Sequence, residues 1–250
     1  MSFQPIQRAG RFACGSHDLP VAPQREKGPQ MKIISPSYAI LSPLEETPIL
    51  QRIELAGRTC YKSEHKITAD SARDFVRRLI RSGHHSVIEH VGFTIHWVVD
   101  RGVAHELVRH RLAAYSQEST RYANYAQEKF GREITVIRPF FWAEDTERYA
   151  VWKAAMEAAE TSYFRLIELG ARPEEARSVL PNSLKTEIVM TCNLREWRHV
   201  LDLRCSKGAH PQMREIMLPL LNELYEKAPV LFDDLYEKYE EDIKAFKKII

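Results

Sequence analysis

The chain has 250 residues, 44% of them hydrophobic and 28% charged, enough to bury one large core. Its 36 Lys and Arg against 34 Asp and Glu leave a net charge of +2, which excludes a nucleic-acid-binding surface built on global charge, so anions must be met by local clusters. No apolar run approaches the roughly 18 residues of a membrane span, and the N-terminus lacks a signal peptide's apolar core, so a soluble cytoplasmic protein that binds no membrane is expected.

Residues 1–30 carry Pro5, Pro20, Pro23, Pro29 and three glycines with little periodicity, and read as a mobile extension ahead of a single domain over 31–250. Met31 to Leu41 has strand character. Pro48 to Tyr61 and Thr68 to Arg81 read as helices, the second capped by Thr68 and stopped at Gly83. Val91 to Val99 alternates Phe93, Ile95 and Trp97 against Thr94 and His96, the period of a half-buried strand. Arg101 to Arg111 reads as a helix with Val103, Ala104, Leu107 and Val108 on one stripe, and with Glu106, Arg109 and His110 facing one way on the other. The chain then turns around Ala113 and Ala114 into a polar run, Tyr115 to Arg121. Ile134 to Ile137 is a short strand. Thr146 to Leu169 makes the longest helix, with Trp152, Met156, Ala159, Tyr163 and Leu166 on one face and Gly170 beyond its end. Pro173 suits a first helical turn, which puts Arg177 about one turn into a short helix. Lys185 to Cys192 is the last strand. Asn193 and Glu196 form a capping-box-like start for a helix carrying Arg195, His199 and Arg204. Helices over Met213 to Glu226 and Val230 to Glu240 close the chain. No internal repeat is present. The order predicts a mixed α/β or α+β domain, a central sheet with clustered helices.

The densest chemistry lies in Arg109-His110-Arg111, followed after seven residues by Ser119, with Gln117, Glu118, Thr120 and Arg121 alongside. Arginine suits phosphate because its planar guanidinium is always charged and offers paired donors. Taken alone, an Arg-His pair is more often a solvated helix end beside the C-terminal dipole. That account does not explain the hydroxyl- and amide-rich segment that follows. Neither G-x-G-x-x-G nor G-x-x-x-x-G-K-S/T occurs, so there is no Rossmann motif and side chains must hold any phosphate.

Six of the ten histidines lie between His84 and His110, but they form no H-x-x-x-H pair and have no cysteine at ligand spacing, so no metal is expected. His96 and His105 read as packing or hydrogen-bonding residues. Cys14, Cys60, Cys192 and Cys205 are scattered and read as reduced thiols. Cys205, beside Arg204, is the one candidate thiolate, but it has no acid/base partner nearby. Ser119 has no histidine three or four residues away to activate it.

The complete Arg-His-Arg, seven residues, Ser pattern resembles the signature of the flavin-dependent thymidylate synthases. Two further blocks, Gly83 to His96 and Arg177 to Arg204, resemble stretches of the same family in the same order. The resemblance covers roughly residues 31 to 235. It implies methylation of dUMP to dTMP with carbon from 5,10-methylenetetrahydrofolate, hydride from reduced FAD, NADPH as reductant and tetrahydrofolate as product. It assigns dUMP to Glu106, Leu107, Val108, Arg109, Gln117, Glu118, Ser119, Thr120, Arg121, Arg177 and Arg204, with Arg204 catalytic at the uracil edge. It assigns FAD to Ser86, Arg109, His110, Arg111, Gln117, Asn193, Leu194, Arg195 and His199, and sets His84, Glu89 and His210 in the flavin or folate neighbourhood. It further implies a homotetramer with shared active sites. Glu106 stands where a relative carries Gln, and this extra carboxylate is expected to pair with Arg109. Two other classes are weighed against the enzyme. A nucleic-acid-binding protein is disfavoured by the small net charge and the acidic C-terminal segment, and a noncatalytic flavin scaffold is separable only by assay.

Overall fold

The structure, a computed structural model, describes residues 31–128 and 131–247. The expected mobile extension over residues 1–30 lies outside the described residues, as does Cys14. The expected first strand is two, β1 (Lys32–Ile34) and β2 (Ser37–Ile40), in different sheets. Pro36 has no N–H for a ladder, so the chain breaks there and changes partners. α1 (Glu46–Thr59) and α2 (Ser71–Arg81) follow. Asp70, not Thr68, is the residue before α2, because the Ser71 hydroxyl takes the Thr68 N–H into a local turn. Gly83 and Gly170 adopt φ of 73° and 88°, the left-handed conformation that ends α2 and the long helix as expected.

β3 (Gly92–Asp100) runs directly into α3 (Arg101–Leu107), whose N-cap is Asp100. β4 (Ala113–Gln117) and β5 (Thr135–Ile137) precede α4 (Glu147–Glu168), capped by Thr146, and the single turn α5 (Pro173–Ala176). β6 (Lys185–Asn193), α6 (Leu194–Cys205), α7 (Pro211–Lys227) and α8 (Pro229–Phe246) complete the chain. Four strands form an antiparallel sheet in the order β2-β3-β6-β4, and β1 pairs in parallel with β5. The result is the α+β form of the expected mixed domain.

One face of the sheet is apolar. Phe93, Ile95, Trp97, Ile188 and Met190 pack against α1, α2, α6, α7 and α8. Trp197 of α6 stacks on Phe93 at 4.9 Å and donates its indole N–H to the Phe93 carbonyl, which seats α6 on the sheet. A second cluster gathers β1, β5 and α4 around Tyr149, Trp152 and Tyr163. At the mouth of β3, Gly92 has no room for a side chain, since a Cβ would meet the Cys192 carbonyl at 2.8 Å. α6 thus buries Leu194, Trp197, Val200 and Leu201 while turning Arg195 and His199 outward.

Candidate functional site

The Arg-His-Arg segment does not continue α3. The helix stops at Leu107, and Val108 to Leu112 form a turn that leads into β4. The reason is tertiary. The Tyr115 hydroxyl of β4 lies 2.7 Å from both the Leu107 and His110 carbonyls and shares its one proton between them, meeting groups a longer helix would have used internally. Nor does the chain reverse at Ala113 and Ala114, because both are already in β4.

The turn sets three neighbours apart. Arg109 and Arg111 are exposed and make no ion pair among the described residues, while His110 is 4% exposed. Arg204, from the last turn of α6, donates its Nε–H to His110 Nε2 at 3.0 Å. Nδ1 of the same ring lies 3.4 Å from Glu196, and the His199 ring stands edge-on at 5.7 Å. Burial first, then the Arg204 and His199 charges, push the His110 pKa down to about 4, so the ring is neutral at pH 7 and free to accept from Arg204. The unfolded chain takes up this proton near 6.5 and the folded chain near 4, so stability is present above 6.5 and lost as pH falls through that window. Melting temperatures measured from pH 7 to 4 are expected to fall, and His110→Gln should flatten that slope. An equal slope in the variant would remove His110 from it.

Glu106 pairs with Arg204, not with Arg109. Arg204 Nη1 donates to Glu106 Oε2 at 2.6 Å and Nη2 to the Glu106 carbonyl at 3.0 Å. Arg109 is past the end of α3, where helical spacing no longer applies. Leu107 is in the core, Val108 is at the surface, and Leu194, the first residue of α6, is buried.

A cavity of about 970 Å³ opens beside this cluster between α6, α8 and the 3₁₀ segment His85–His90. Asn193, Arg195, His199 and Glu89, all named from the sequence, line it together. Asn193 caps α6, its Oδ1 accepting the Glu196 N–H at 2.9 Å. The reciprocal half of the capping box is not made, since Glu196 faces His110 instead. Arg195 is held by Glu89 at 2.6 Å. Ser86 is exposed within that 3₁₀ segment, and His84 is exposed just before it. His210 does not join this cavity. It caps α7, accepting the Gln212 N–H on Nδ1, and lines a separate pocket of about 260 Å³ with Asp100 and Glu106.

Beyond β4 lies a second group. The Thr120 hydroxyl accepts from Arg177 at 3.3 Å, Arg121 approaches Glu174 at 3.8 Å, and Glu118 pairs with Lys185 at 3.1 Å. The Ser119 hydroxyl accepts the Arg121 N–H, and the Gln117 amide donates to Thr186. Lys185 also holds Glu187, which bonds His96 at 3.0 Å. His96 is therefore hydrogen-bonded as expected, whereas His105 is exposed with no partner among the described residues. Sequence reasoning missed Glu196 and Lys185. Glu196 is spelled as a cap residue, and Lys185 is the first residue of a strand.

Among the described residues one group of three potential metal ligands meets, His110, Glu196 and His199, with donor atoms within 4.8 Å of one another. Its chemistry fits a metal poorly. His110 has Nε2 taken by Arg204 and Nδ1 turned to Glu196, so an ion would have to displace a contact to a fixed cation. No helix among the described residues is long and apolar enough to cross a membrane.

Residues 44–230 match the family described as "Thymidylate synthase complementing protein". A flavin-dependent thymidylate synthase of Geobacter sulfurreducens is 35% identical, over 76% of this chain and 84% of its own. One from Pyrococcus furiosus is 34% identical, over 73% and 74% respectively. Among solved structures, thymidylate synthase X of Helicobacter pylori with FAD and dUMP aligns with a TM-score of 0.63 at 23% identity, over 80% of this chain and 98% of that one. The UMP/dUMP methylase PolB of Streptomyces cacaoi with 5-Br UMP aligns with a TM-score of 0.66 at 21% identity, over 82% and 96%.

Proposed function

The chain belongs to the flavin-dependent thymidylate synthase family, and we propose that it converts dUMP to dTMP with FAD as cofactor, 5,10-methylenetetrahydrofolate as carbon donor and NADPH as reductant. The observation that carries this reading is the meeting of Arg204 with the Arg-His-Arg turn, from 94 residues away, around a neutral His110. The residues fit a flavin dinucleotide. The neighbouring cavity is of ligand size, and Arg195 and His199, which line it, offer donors for a pyrophosphate and ring, with Arg111, which makes no ion pair among the described residues, next in the chain to the lining residue Leu112. When bound, the flavin supplies hydride; the protein's own task is placement and field.

Arg204 is fixed by three contacts and so is preorganised to stabilise negative charge spreading over a uracil ring. His110 holds the Nε side of that guanidinium without adding a competing charge. Thr120, Arg121 and Arg177 offer hydroxyl and guanidinium donors of the kind a phosphate takes.

The two groups expected to hold dUMP stand at opposite ends of β4, separated by about 15 Å of extended chain. Arg109 lies at its start, with Arg204 bonded to the adjacent His110; Ser119, Thr120 and Arg121 lie past its end, with Arg177 bonded to Thr120. This division supports a homotetramer in which each site takes its two ends from different copies.

Purified protein is expected to be yellow and to form dTMP from dUMP, methylenetetrahydrofolate and NADPH, followed by chromatography of the nucleotides. Colour without product would favour a noncatalytic flavin scaffold. No thiol nucleophile is needed. Burial pushes both the Cys192 and Cys205 thiols well up, so neither is a thiolate at neutral pH. Replacing both by Ala should leave turnover within about tenfold, the loss reflecting packing. A fall of several orders of magnitude with normal flavin content would overturn the mechanism.

A further inference from the structure

We propose that Glu106 and Arg204 read the pyrimidine edge as one unit, and that Glu106 selects uracil over cytosine. The proposal rests on dUMP being the substrate. The two side chains come from the end of α3 and the last turn of α6, yet they meet at 2.6 Å, and the guanidinium also grips the Glu106 carbonyl and His110. Three contacts leave Arg204 no freedom to turn, and Glu106 is fixed with it. Only one carboxylate oxygen is spent. Oε1 of Glu106 makes no hydrogen bond among the described residues, and the side chain keeps 35% of its surface exposed. A free acceptor therefore stands beside the remaining guanidinium N–H donors in a set order.

That order has a meaning for a pyrimidine. The uracil edge presents carbonyl, N3–H, carbonyl: acceptor, donor, acceptor. Cytosine presents an amino group, a bare N3 and a carbonyl: donor, acceptor, acceptor. A donor and an acceptor laid over one carbonyl and N3 are both satisfied by uracil, whichever carbonyl is used. In the same pose cytosine turns the N3 lone pair toward a carboxylate. Placed on O2, Arg204 cannot make this distinction by itself, because a guanidinium only donates and that carbonyl is common to both bases. An amide at position 106 would not make it either, since it can rotate to offer N–H to a bare N3. An ionised carboxylate cannot, so Glu106 contributes the repulsive element that specificity needs.

The test uses the holoenzyme, with dCMP as a competitive inhibitor of dTMP formation and its inhibition constant compared with the affinity for dUMP. Wild type is expected to bind dCMP at least about 10²-fold more weakly than dUMP. Glu106→Gln should narrow that ratio by about tenfold or more, chiefly through tighter dCMP. A merely structural Glu106 would lower both affinities together and leave the ratio alone. A second ligand guards against a misplaced Arg204. With 3-methyl-dUMP, which has no N3–H, Glu106→Ala should gain affinity relative to dUMP, because the acceptor that loses its partner is gone. An unchanged dCMP ratio in Glu106→Gln overturns the assignment, as does wild-type protein that takes dCMP as readily as dUMP or a Glu106→Ala variant with no relative gain for the methylated ligand. Wild-type protein that neither binds nor converts dUMP overturns the substrate reading and this assignment together.

Discussion

Arg204→Ala is expected to lower dUMP methylation by roughly 10²–10³ while flavin reduction by NADPH proceeds at its normal rate, by analogy with removing one preorganised donor from a developing oxyanion. C5 of uracil is a weak nucleophile in the neutral ring and a better one as negative charge spreads over N3 and the carbonyls. A fixed cation beside that edge stabilises the charged form more than the ground state, the differential binding on which catalysis depends. The geometry strengthens the expectation, because Arg204 is 14% exposed and held on three sides, so little reorganisation accompanies the reaction. Arg204→Lys should recover only part of the rate. A lysine ammonium is a point charge and cannot hold His110 and Glu106 while also presenting paired donors. Stopped-flow measurement of the reductive and methylating half-reactions decides the matter. Equal losses in both would make Arg204 structural, and an unimpaired methylating step would remove it from the chemistry.

Arg111→Ala is expected to give folded protein that is largely colourless. A charge-assisted contact to an anionic ligand is worth on the order of 2–5 kcal/mol, about thirtyfold to a few thousandfold in affinity. Arg111 is exposed and has no acidic partner among the described residues, so its charge is available in full. Arg195 differs, since Glu89 already holds it at 2.6 Å and must release it to a pyrophosphate. Arg195→Ala should therefore cost less flavin than Arg111→Ala. Absorbance of the purified variants near the flavin maximum measures both. A fully yellow Arg111→Ala protein would return this arginine to the solvated chain end that its sequence first suggests.

What was legible in the sequence was mostly local. The alternation in Val91 to Val99 gave β3 within one residue, and Asn193 caps α6 as read. The end of α3 was hidden, because Val108 and Leu112 keep a helical spacing and the hydroxyl that closes the last carbonyls belongs to Tyr115. β4 was hidden for a related reason. Among the described residues it is an edge strand paired only with β6, so Ala113 to Gln117 need not alternate strongly to fold, and the segment reads as a polar turn. At the site, residue types were legible and partners were not. The partner of Glu106 lies 98 residues away, and spacing along α3 pointed to Arg109 instead.

The two-sidedness of α6 bears on how the protein gains and loses its cofactor. Arg195 and His199 project from the same turns whose Trp197, Val200 and Leu201 fill the core. Amide protons of this helix should then exchange with solvent only when the whole domain opens. The cavity proposed for the flavin should then not melt by itself, so colour lost on dialysis is expected to be lost by dissociation from an intact scaffold. Bleached protein should regain its spectrum within the mixing time of added FAD, with no refolding phase, and its melting temperature should climb with the FAD concentration.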